Sequence, residues 1–385
     1  MYPPYYIGGY ELRCQDTVDE LRRRGHSVLV LTSTYGVRRP VNEGYVLRQL
    51  LIYRYGLAQI LSTGKLRLVY TEWWNTRRLI HLIKSFSPDI VFVWNLRGLS
   101  MSLLVTAQRL GVPLVYSIGD TWLIDAVKED EWFNLWNYVP EDTIRAMAKR
   151  GLQRCGLRKI IDHYIPTNIK DLYLSNMCFV SEDLKRQYLE RGVNVRESRV
   201  IYRGIDVDKF NMPVRDSLNT PTKLLFCGRL TPNKGVHLAI EAMAYLMKGY
   251  SNLSFNIVGE GPEEYRQWLD RLIADNDIRA YVNFLGKVPR TQMPEIYHSH
   301  DILLFTSIWK EALGITILEA MACGVAVVGS RVGGSRKIEQ LVQSPQLWAR
   351  LREEGRKTVV ERFSLKTMVD KMEEFLYRVA NAHRC

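Results

Sequence analysis

Glu311-Ala312-Leu313-Gly314-Ile315-Thr316-Ile317-Leu318-Glu319-Ala320-Met321-Ala322-Cys323-Gly324 follows the apolar run Ile302-Leu303-Leu304-Phe305 and precedes Val325-Ala326-Val327-Val328. The order is strand, loop, helix, strand, the repeating unit of a parallel α/β sheet. Within the helix, Ile315, Leu318 and Ala322 share a buried face at i, i+3, i+7, and Thr316, Glu319 and Cys323 share the neighbouring one. A helix start carries unpaired N–H groups and the positive end of the dipole. With Gly314 leaving the backbone open, a phosphate could sit on the amides of Gly314, Ile315 and Thr316. Glu319 lies about 7 Å further along the axis at ~1.5 Å per residue, a distance suited to a ribose rather than the phosphate. Its carboxylate could accept from adjacent sugar hydroxyls, and Glu311 could face a transferred group. Spacing alone also allows two solvated glutamates beside an ordinary helix start.

Working outward, Lys223–Gly228 reads as a strand whose exit loop is Arg229-Leu230-Thr231-Pro232-Asn233-Lys234-Gly235, with a helix from Val236 to Met247. Arg229 and Lys234 flank a turn where two cations could grip a diphosphate, or are exposed loop charges. Leu253–Val258 is the next strand; Gly259-Glu260-Gly261-Pro262 after it lacks the third glycine of a dinucleotide fingerprint. Val282–Gly286 is another strand, followed by Lys287-Val288. The last stretch, Ser364 to Ala380, is amphipathic, with Met368, Met372, Phe375 and Leu376 on one side.

The first half alternates in the same way. Gly8-Gly9 opens a helical pattern through Leu12, Val18 and Leu21, either a close backbone approach to a ligand or a plain turn. Strands are expected at Val28–Thr32, Asp89–Trp94, Val112–Ser117 and Asn176–Ser181, with a helix over Gly98–Leu110. Ligands gather at the carboxyl ends of such strands, which places Asn95 and Asp120 for chemistry; Asp120 could equally cap a helix. Trp122, Trp132, Phe133, Trp136 and Tyr138, followed by Arg145, Lys149, Arg150, Arg154, Arg158 and Lys159, could form a membrane-facing segment, a lid or core packing. Arg215–Pro221 is the expected linker.

A chain of 385 residues, 46% hydrophobic and 24% charged, is long enough for two soluble globular domains. No apolar run reaches the ~18 residues of a transmembrane helix, and Met1-Tyr2-Pro3-Pro4 does not begin a secretory signal. Six scattered cysteines without a C-x-x-C pair point to a reduced, cytoplasmic protein without structural zinc. The net charge of +12 is uneven: residues 1–215 carry 31 Lys+Arg against 22 Asp+Glu, a net of +9. Such a half favours an anionic partner, or is a solvated basic surface. No nucleic-acid module is legible, so a membrane or lipid phosphate is the anion expected.

Residues 311–324 resemble the E-x7-E signature of retaining glycosyltransferases of family 4, with Ala312 and Leu313 where Gly-Phe is usual. Other stretches share the likeness: Gly228-Arg229-Leu230 with Lys234-Gly235, Asp120-x-Trp122 with Gly119 where histidine is usual, and Gly204-Ile205-Asp206 with Phe210. The resemblance implies two Rossmann-like domains of the GT-B architecture with a cleft between them. These are a 1–215 acceptor domain, a 216–365 nucleotide-sugar domain and a 366–385 helix crossing back to the first. It implies transfer of a sugar from a nucleotide-diphosphate donor to a hydroxyl of a glycan or lipid-linked acceptor, with retention and with neither metal nor cofactor. Arg229, Lys234 and the amides of Gly314, Ile315 and Thr316 would hold the diphosphate, with Gly8 and Gly9 near its phosphate. Val288 would meet the base, Glu319 the ribose, Glu311 the sugar, and Asp120 the sugar or the acceptor hydroxyl. A location at the inner face of the cell membrane would follow. Two departures stand out: the family's first strand, expected before Gly8, is absent, and about twenty residues after Ser335 are missing by comparison with that layout. A sugar-nucleotide epimerase of the same fold and a non-catalytic, membrane-associated protein are the rival expectations.

Overall fold

The computed structural model describes residues 1–52, 64–137, 157–213, 215, 217–308, 314–329 and 334–384. The chain divides into two compact units, Met1–Tyr202 with Val369–Cys385, and Arg203–Met368.

In the first unit, β1 (Val30–Ser33), β2 (Val41–Glu43) and β3 (Val46–Leu50) form one sheet in the order β1-β3-β2. β1 runs parallel to β3, and β2 pairs antiparallel with β3 across the turn at Gly44. A second, all-parallel sheet has the order β4-β5-β6-β7, from Val91–Val93, Leu114–Ile118, Met177–Phe179 and Arg199–Val200. Every residue of β5 and β6 is buried, the pattern of strands covered on both faces. β1 and β4 each end a sheet, so the doubly wound arrangement is divided in two here. The helices are Gly9–Arg23, Lys65–Phe86, Ser102–Arg109, Trp122–Glu129, Glu131–Asn137, Leu157–Tyr164 and Glu182–Glu190. The last starts where Ser181 Oγ accepts from the Leu184 amide at 3.2 Å. The third begins later than Gly98 because the Asp130 carboxylate takes the Met101 amide (2.7 Å) and the Ser100 hydroxyl (3.1 Å), fixing residues just before Ser102 as a cap.

The final helix, Leu365–Arg384, contributes its residues from Val369 onward to this unit. Val369, Met372 and Phe375 are buried, Arg24 pairs with Asp370 and Glu373 at 2.7 Å each, and His383 bonds the Gly111 carbonyl.

The second unit holds one parallel sheet in the order β10-β9-β8-β11-β12, built from Thr222–Cys227 (β8), Leu253–Val258 (β9), Val282–Gly286 (β10), Ile302–Phe305 (β11) and Ala326–Gly329 (β12). Successive residues of a strand face opposite sides. Leu224 and Phe226 therefore pack in one core cluster with Ile240, Phe255, Ile302 and Trp348, while Leu225 packs in the other with Tyr297, Leu303, Leu318 and Val359. Helices Val236–Met247, Glu263–Asp275, Met293–His298, Ile315–Ala322, Gly334–Gln343 and Pro345–Arg362 cover the two faces. The strand order reverses between β8 and β11, the switch point at which open α/β sheets take ligands.

The units divide at 202/203, upstream of the expected 215/216, because residues 205–215 are bonded into the second unit. Ile205 exchanges bonds with Phe363 and Leu365, the Arg356 guanidinium donates to the Phe210 and Val207 carbonyls (2.6 and 3.1 Å), and Arg352 donates to Pro213 and Arg215. Arg215 itself is ion-paired to the buried Asp301. Beyond β12, the described residues from Gly334 onward are helical with short breaks. Among the described residues no helix is long and apolar enough to cross a membrane.

Candidate active site

At the carboxyl end of the second unit's sheet, three exit loops and the end of a fourth strand are locked together through their backbones. The β8 loop makes a single 3-10 turn at Pro232–Lys234 and ends at Gly235, whose φ of +66° no side chain adopts readily. A Cβ there would stand 2.0 Å from the Thr306 carbonyl oxygen, so glycine is what lets this loop lie on the residues following β11. The same two loops are tied by the Ile308 amide to Asn233 O (3.0 Å), Thr306 Oγ1 to Lys234 O (3.3 Å) and Ser307 Oγ to Asn233 O (3.3 Å). On the other side, Gly259 at φ +141° lies against Gly228, where a Cβ would meet the carbonyl oxygen at 1.8 Å. The Gly259 amide reaches the Gly286 carbonyl at 2.8 Å. The described residues after β8, β9 and β11, with Gly286 at the end of β10, thus interlock as one rim at the switch point.

On this rim Arg229 is exposed, and Lys234 is half-buried. Val288, beyond β10, is half-buried against the core cluster that includes Leu318 and Tyr297. Gly314 is the N-cap of Ile315–Ala322 and supplies no side chain of its own to cap it, and it packs 3.0 Å (from an added Cβ) against the Phe305 ring at the end of β11. The amides of Ile315 and Thr316 form the first turn after it. Glu311 lies outside the described residues, as do Ala312 and Leu313.

Glu319 is only 4% exposed. The Tyr297 hydroxyl donates to its Oε2 at 3.1 Å, and Arg290 Nε stands 3.6 Å from Oε1. Burial, reinforced by the Glu319 charge, pushes the Cys227 thiol up to about 12, and burial with Cys227 and Glu319 nearby raises the Tyr297 phenol as well. The carboxylate is therefore oriented from below by groups that stay protonated at neutral pH. Spacing puts Glu319 beside Thr316 and Cys323 but carries no sign of this burial, and it does not point to Tyr297 or Arg290. Their only sequence signal is a tyrosine and an arginine near a short helix preceding β11.

In the first unit, Gly8 is the N-cap of Gly9–Arg23, and its amide donates to the Glu11 carboxylate at 3.1 Å. The first amide of this turn is thus occupied from within the helix. Asp120, at the end of β5, accepts from the Trp122 amide at 2.8 Å through Oδ1, with Oδ2 3.9 Å from Arg97. One oxygen caps a helix while the side chain remains 42% exposed. Asn95 Oδ1 accepts from the Arg97 amide at 2.8 Å, an internal turn. Gly119 lies against the Tyr10 ring, which a Cβ would meet at 2.5 Å. Tyr10 donates to the Ser117 carbonyl and stands edge-on to Trp94 with centroids 5.7 Å apart. Tyr10 thereby fills the space a side chain at 119 would need, a pairing across the chain that no local spacing reveals. Arg13, one turn on, is 2% exposed with its guanidinium 5.3 Å from the Trp94 ring.

Three aromatics of the 121–165 segment are core: Trp122 and Trp132 are fully buried, Phe133 is 2% exposed, and the Trp132 indole donates to the Pro166 carbonyl at 2.6 Å, while Trp136 is half-buried. Arg158 is bonded to Thr167 and Asn137, whereas Tyr138, Arg145, Lys149, Arg150 and Arg154 lie outside the described residues. Among the described residues no group of three His, Cys, Asp or Glu side chains gathers as a metal site.

The family model for glycosyl transferases group 1 matches residues 208–358, and that for glycosyltransferase family 4 matches residues 7–161. The chain belongs to this family of glycosyltransferases. The two matched stretches of this GT-B chain fall one on each structural unit. It is 31% identical over 160 residues to the amylovoran biosynthesis glycosyltransferase AmsK of Erwinia amylovora, covering 40% of this chain and 39% of AmsK. It is 26% identical over 366 residues to the uncharacterized glycosyltransferase MJ1607 of Methanocaldococcus jannaschii, covering 88% of this chain and 80% of the relative. The chain spans under two fifths of the length of the first curated relatives it matches. Its fold is similar to that of Anabaena Alr3699/HepE, solved in complex with UDP and glucose, at a TM-score of 0.65 with 18% identity over 97% of both chains.

Proposed function

We propose that this GT-B glycosyltransferase moves a sugar from a nucleotide diphosphate to a hydroxyl of a glycan or lipid-linked acceptor, with retention of configuration. The observation that carries the reading is the interlocked rim at the β8/β11 switch point. It presents Arg229 and Lys234 on one loop and, beyond another, the start of Ile315–Ala322 with glycine at its N-cap. HepE, whose fold is similar, was solved with UDP and glucose, and AmsK is named as a glycosyltransferase of amylovoran biosynthesis; both support the substrate class.

In this reading the bond between the anomeric carbon and the diphosphate oxygen breaks as the acceptor oxygen attacks the same face, and the acceptor proton passes to the leaving phosphate. Arg229, Lys234 and the amides of Gly314, Ile315 and Thr316 stabilise the charge that grows on that phosphate. Charge-assisted bonds from two cations are strongest when the diphosphate is fully developed, so they favour the transition state over the bound donor. Glu319, held by Tyr297 and Arg290, takes ribose hydroxyls, and Val288 takes the base. Glu311 contacts the sugar, Asp120 uses its exposed oxygen on the acceptor or sugar, and Gly8 and Gly9 serve the donor phosphate. No metal or cofactor is required, since cations of the chain itself carry the phosphate charge. The basic residues 1–215 would meet an anionic membrane at its inner face.

The test is release of nucleoside diphosphate from UDP-, GDP- and ADP-sugars, with and without glycan or lipid-linked acceptors. Release from one donor class, lost in Lys234→Ala, is expected. A folded protein that neither binds nor turns over any of these donors would overturn the reading.

A further inference from the structure

The Lys65–Phe86 helix of the first unit is amphipathic in an unusual sense. Its inner face buries Leu68, Thr71, Glu72, Asn75, Leu79 and Ile83. Its outer face leaves Leu66 88%, Tyr70 52% and Trp73 42% exposed. At about 3.6 residues per turn, Leu66, Tyr70, Trp73, Arg77 and Lys84 fall on one stripe, apolar toward the helix start and basic toward its end. The rings of Tyr70 and Trp73 lie 6.1 Å apart, and the Arg77 guanidinium sits 5.1 Å from the Trp73 ring. Arg78 stands 4.4 Å from the Trp74 ring. Tyr70 and Trp73, with Leu66 one turn toward the helix start, make an exposed apolar stretch of the kind that marks an interaction surface.

The charge on this helix is one-sided. Arg67, Arg77, Arg78 and Lys84 face solvent or the helix flank, and the sole acid, Glu72, is buried. Nothing acidic on the helix competes for its cations. Tyrosine and tryptophan favour the headgroup level of a bilayer, where one end of the ring is apolar and the other wet. Arginine and lysine beside them reach lipid phosphates, and their apolar stems can lie along the acyl boundary.

We propose that this outer face is the surface by which the protein docks on an anionic lipid bilayer. The proposal rests on the reading that the basic half of the chain meets a membrane, and it moves that contact from the 121–165 segment, where Trp122, Trp132 and Phe133 are core, to the Lys65–Phe86 helix.

The experiment is co-sedimentation of the full chain with vesicles of phosphatidylglycerol mixed into phosphatidylcholine, and with phosphatidylcholine alone. One variant, Tyr70→Ser/Trp73→Ser, removes the apolar arm; another, Arg77→Glu/Lys84→Glu, reverses the charged one. All four side chains are exposed, so thermal unfolding and donor turnover in solution should match the parent. The expected result is binding to the anionic vesicles only, weakened at high salt, and lowered in each variant by about tenfold or more, given that a basic residue near an anionic leaflet contributes ~1 kcal/mol. If both variants bind as the parent does, the helix assignment falls while the membrane reading stands. If the parent binds neither vesicle, both fall, and an acidic protein partner becomes the occupant to seek. Equal binding to both vesicle types would overturn the anionic requirement.

Discussion

The two units end their sheets in different ways. At the β8/β11 switch point of the second unit, loops approach one another backbone to backbone, through Gly235 on Thr306 and Gly259 on Gly228. At the corresponding end of β5 in the first unit, the space is filled by side chains: Tyr10 on Gly119, Trp94 edge-on to Tyr10, and Trp122 fully buried with its indole directed to the Ser117 carbonyl. A backbone-built rim presents the same amides and carbonyls whatever sugar is bound, which suits a diphosphate. A rim built of large side chains can differ at each position, which suits an acceptor that differs between enzymes. The contrast is one of tolerance: the first rim should fail on adding one methyl group, the second should give ground.

Gly235→Val is the severest challenge. It forces a β-branched residue to φ +66° with its Cβ 2.0 Å from Thr306 O. Chemical denaturation should show a loss of about 3 kcal/mol or more, and nucleotide binding should disappear with it. A variant unfolding at the parent's midpoint would mean the rim is not rigid.

Arg229→Ala separates charge from scaffold on the same rim. Arg229 is exposed, so stability should stay within about 0.5 kcal/mol of the parent. Turnover of the donor should nonetheless fall roughly 100-fold, the usual size for losing one stabiliser of developing charge. Unchanged turnover would detach this loop from the leaving group.

Gly119→Ala probes the side-chain rim. The added methyl meets Tyr10 at 2.5 Å, and overpacking of this kind costs about 1–3 kcal/mol. In a Tyr10→Ala background the same substitution should cost little, since the clashing ring is gone, and the double-mutant cycle should show a coupling of about 1 kcal/mol or more. Additive effects would mean Tyr10 does not occupy the place of a side chain at 119.

The same contrast governs what could be read from the sequence. The second unit's strands were legible almost to the residue, Val282–Gly286 and Ile302–Phe305 among them, because short Val/Ile/Leu/Phe runs bounded by glycine follow directly from parallel-sheet burial. The loop of Arg229 and Lys234 and the helix start at Gly314 were legible for the same reason, being local. In the first unit the ribbon of β2 and β3 went unread: its outer strand is fully exposed, so no apolar period marks it. The burial of Glu319 and the Tyr10–Gly119 contact depend on residues 22 and 109 positions apart, and no period within a window carries such information.

A last comparison, read per pH unit, concerns a pair of buried acids, one in each unit. Asp301 is fully buried and well served: Arg215 pairs with it, and the amides of Lys223 (2.7 Å) and Asn219 (3.1 Å) and the Asn219 side chain (3.1 Å) donate to it. Glu72 is as buried but, among the described residues, is held by the Ser102 hydroxyl at 2.6 Å with none of them donating to its Oε1. Burial, opposed by the Ser102 hydroxyl, with Asp130 adding repulsion and Ser100 easing it, raises its acid to about 8. The unfolded chain releases this proton near the ordinary carboxylate value, whereas the folded unit keeps it until about pH 8. Its stabilising contribution is therefore fully present below the unfolded value and is lost as pH rises toward the folded one. The slope of stability against pH in that window should be at most about 1.4 kcal/mol per pH unit from this group. Glu72→Gln keeps the shape and cannot ionise, so thermal unfolding of the variant should lose that part of the slope and exceed the parent above pH 8. A parallel pH dependence in parent and variant would show that Glu72 is ionised in the folded chain, and that the first unit, like the second, has found a cation for its buried acid.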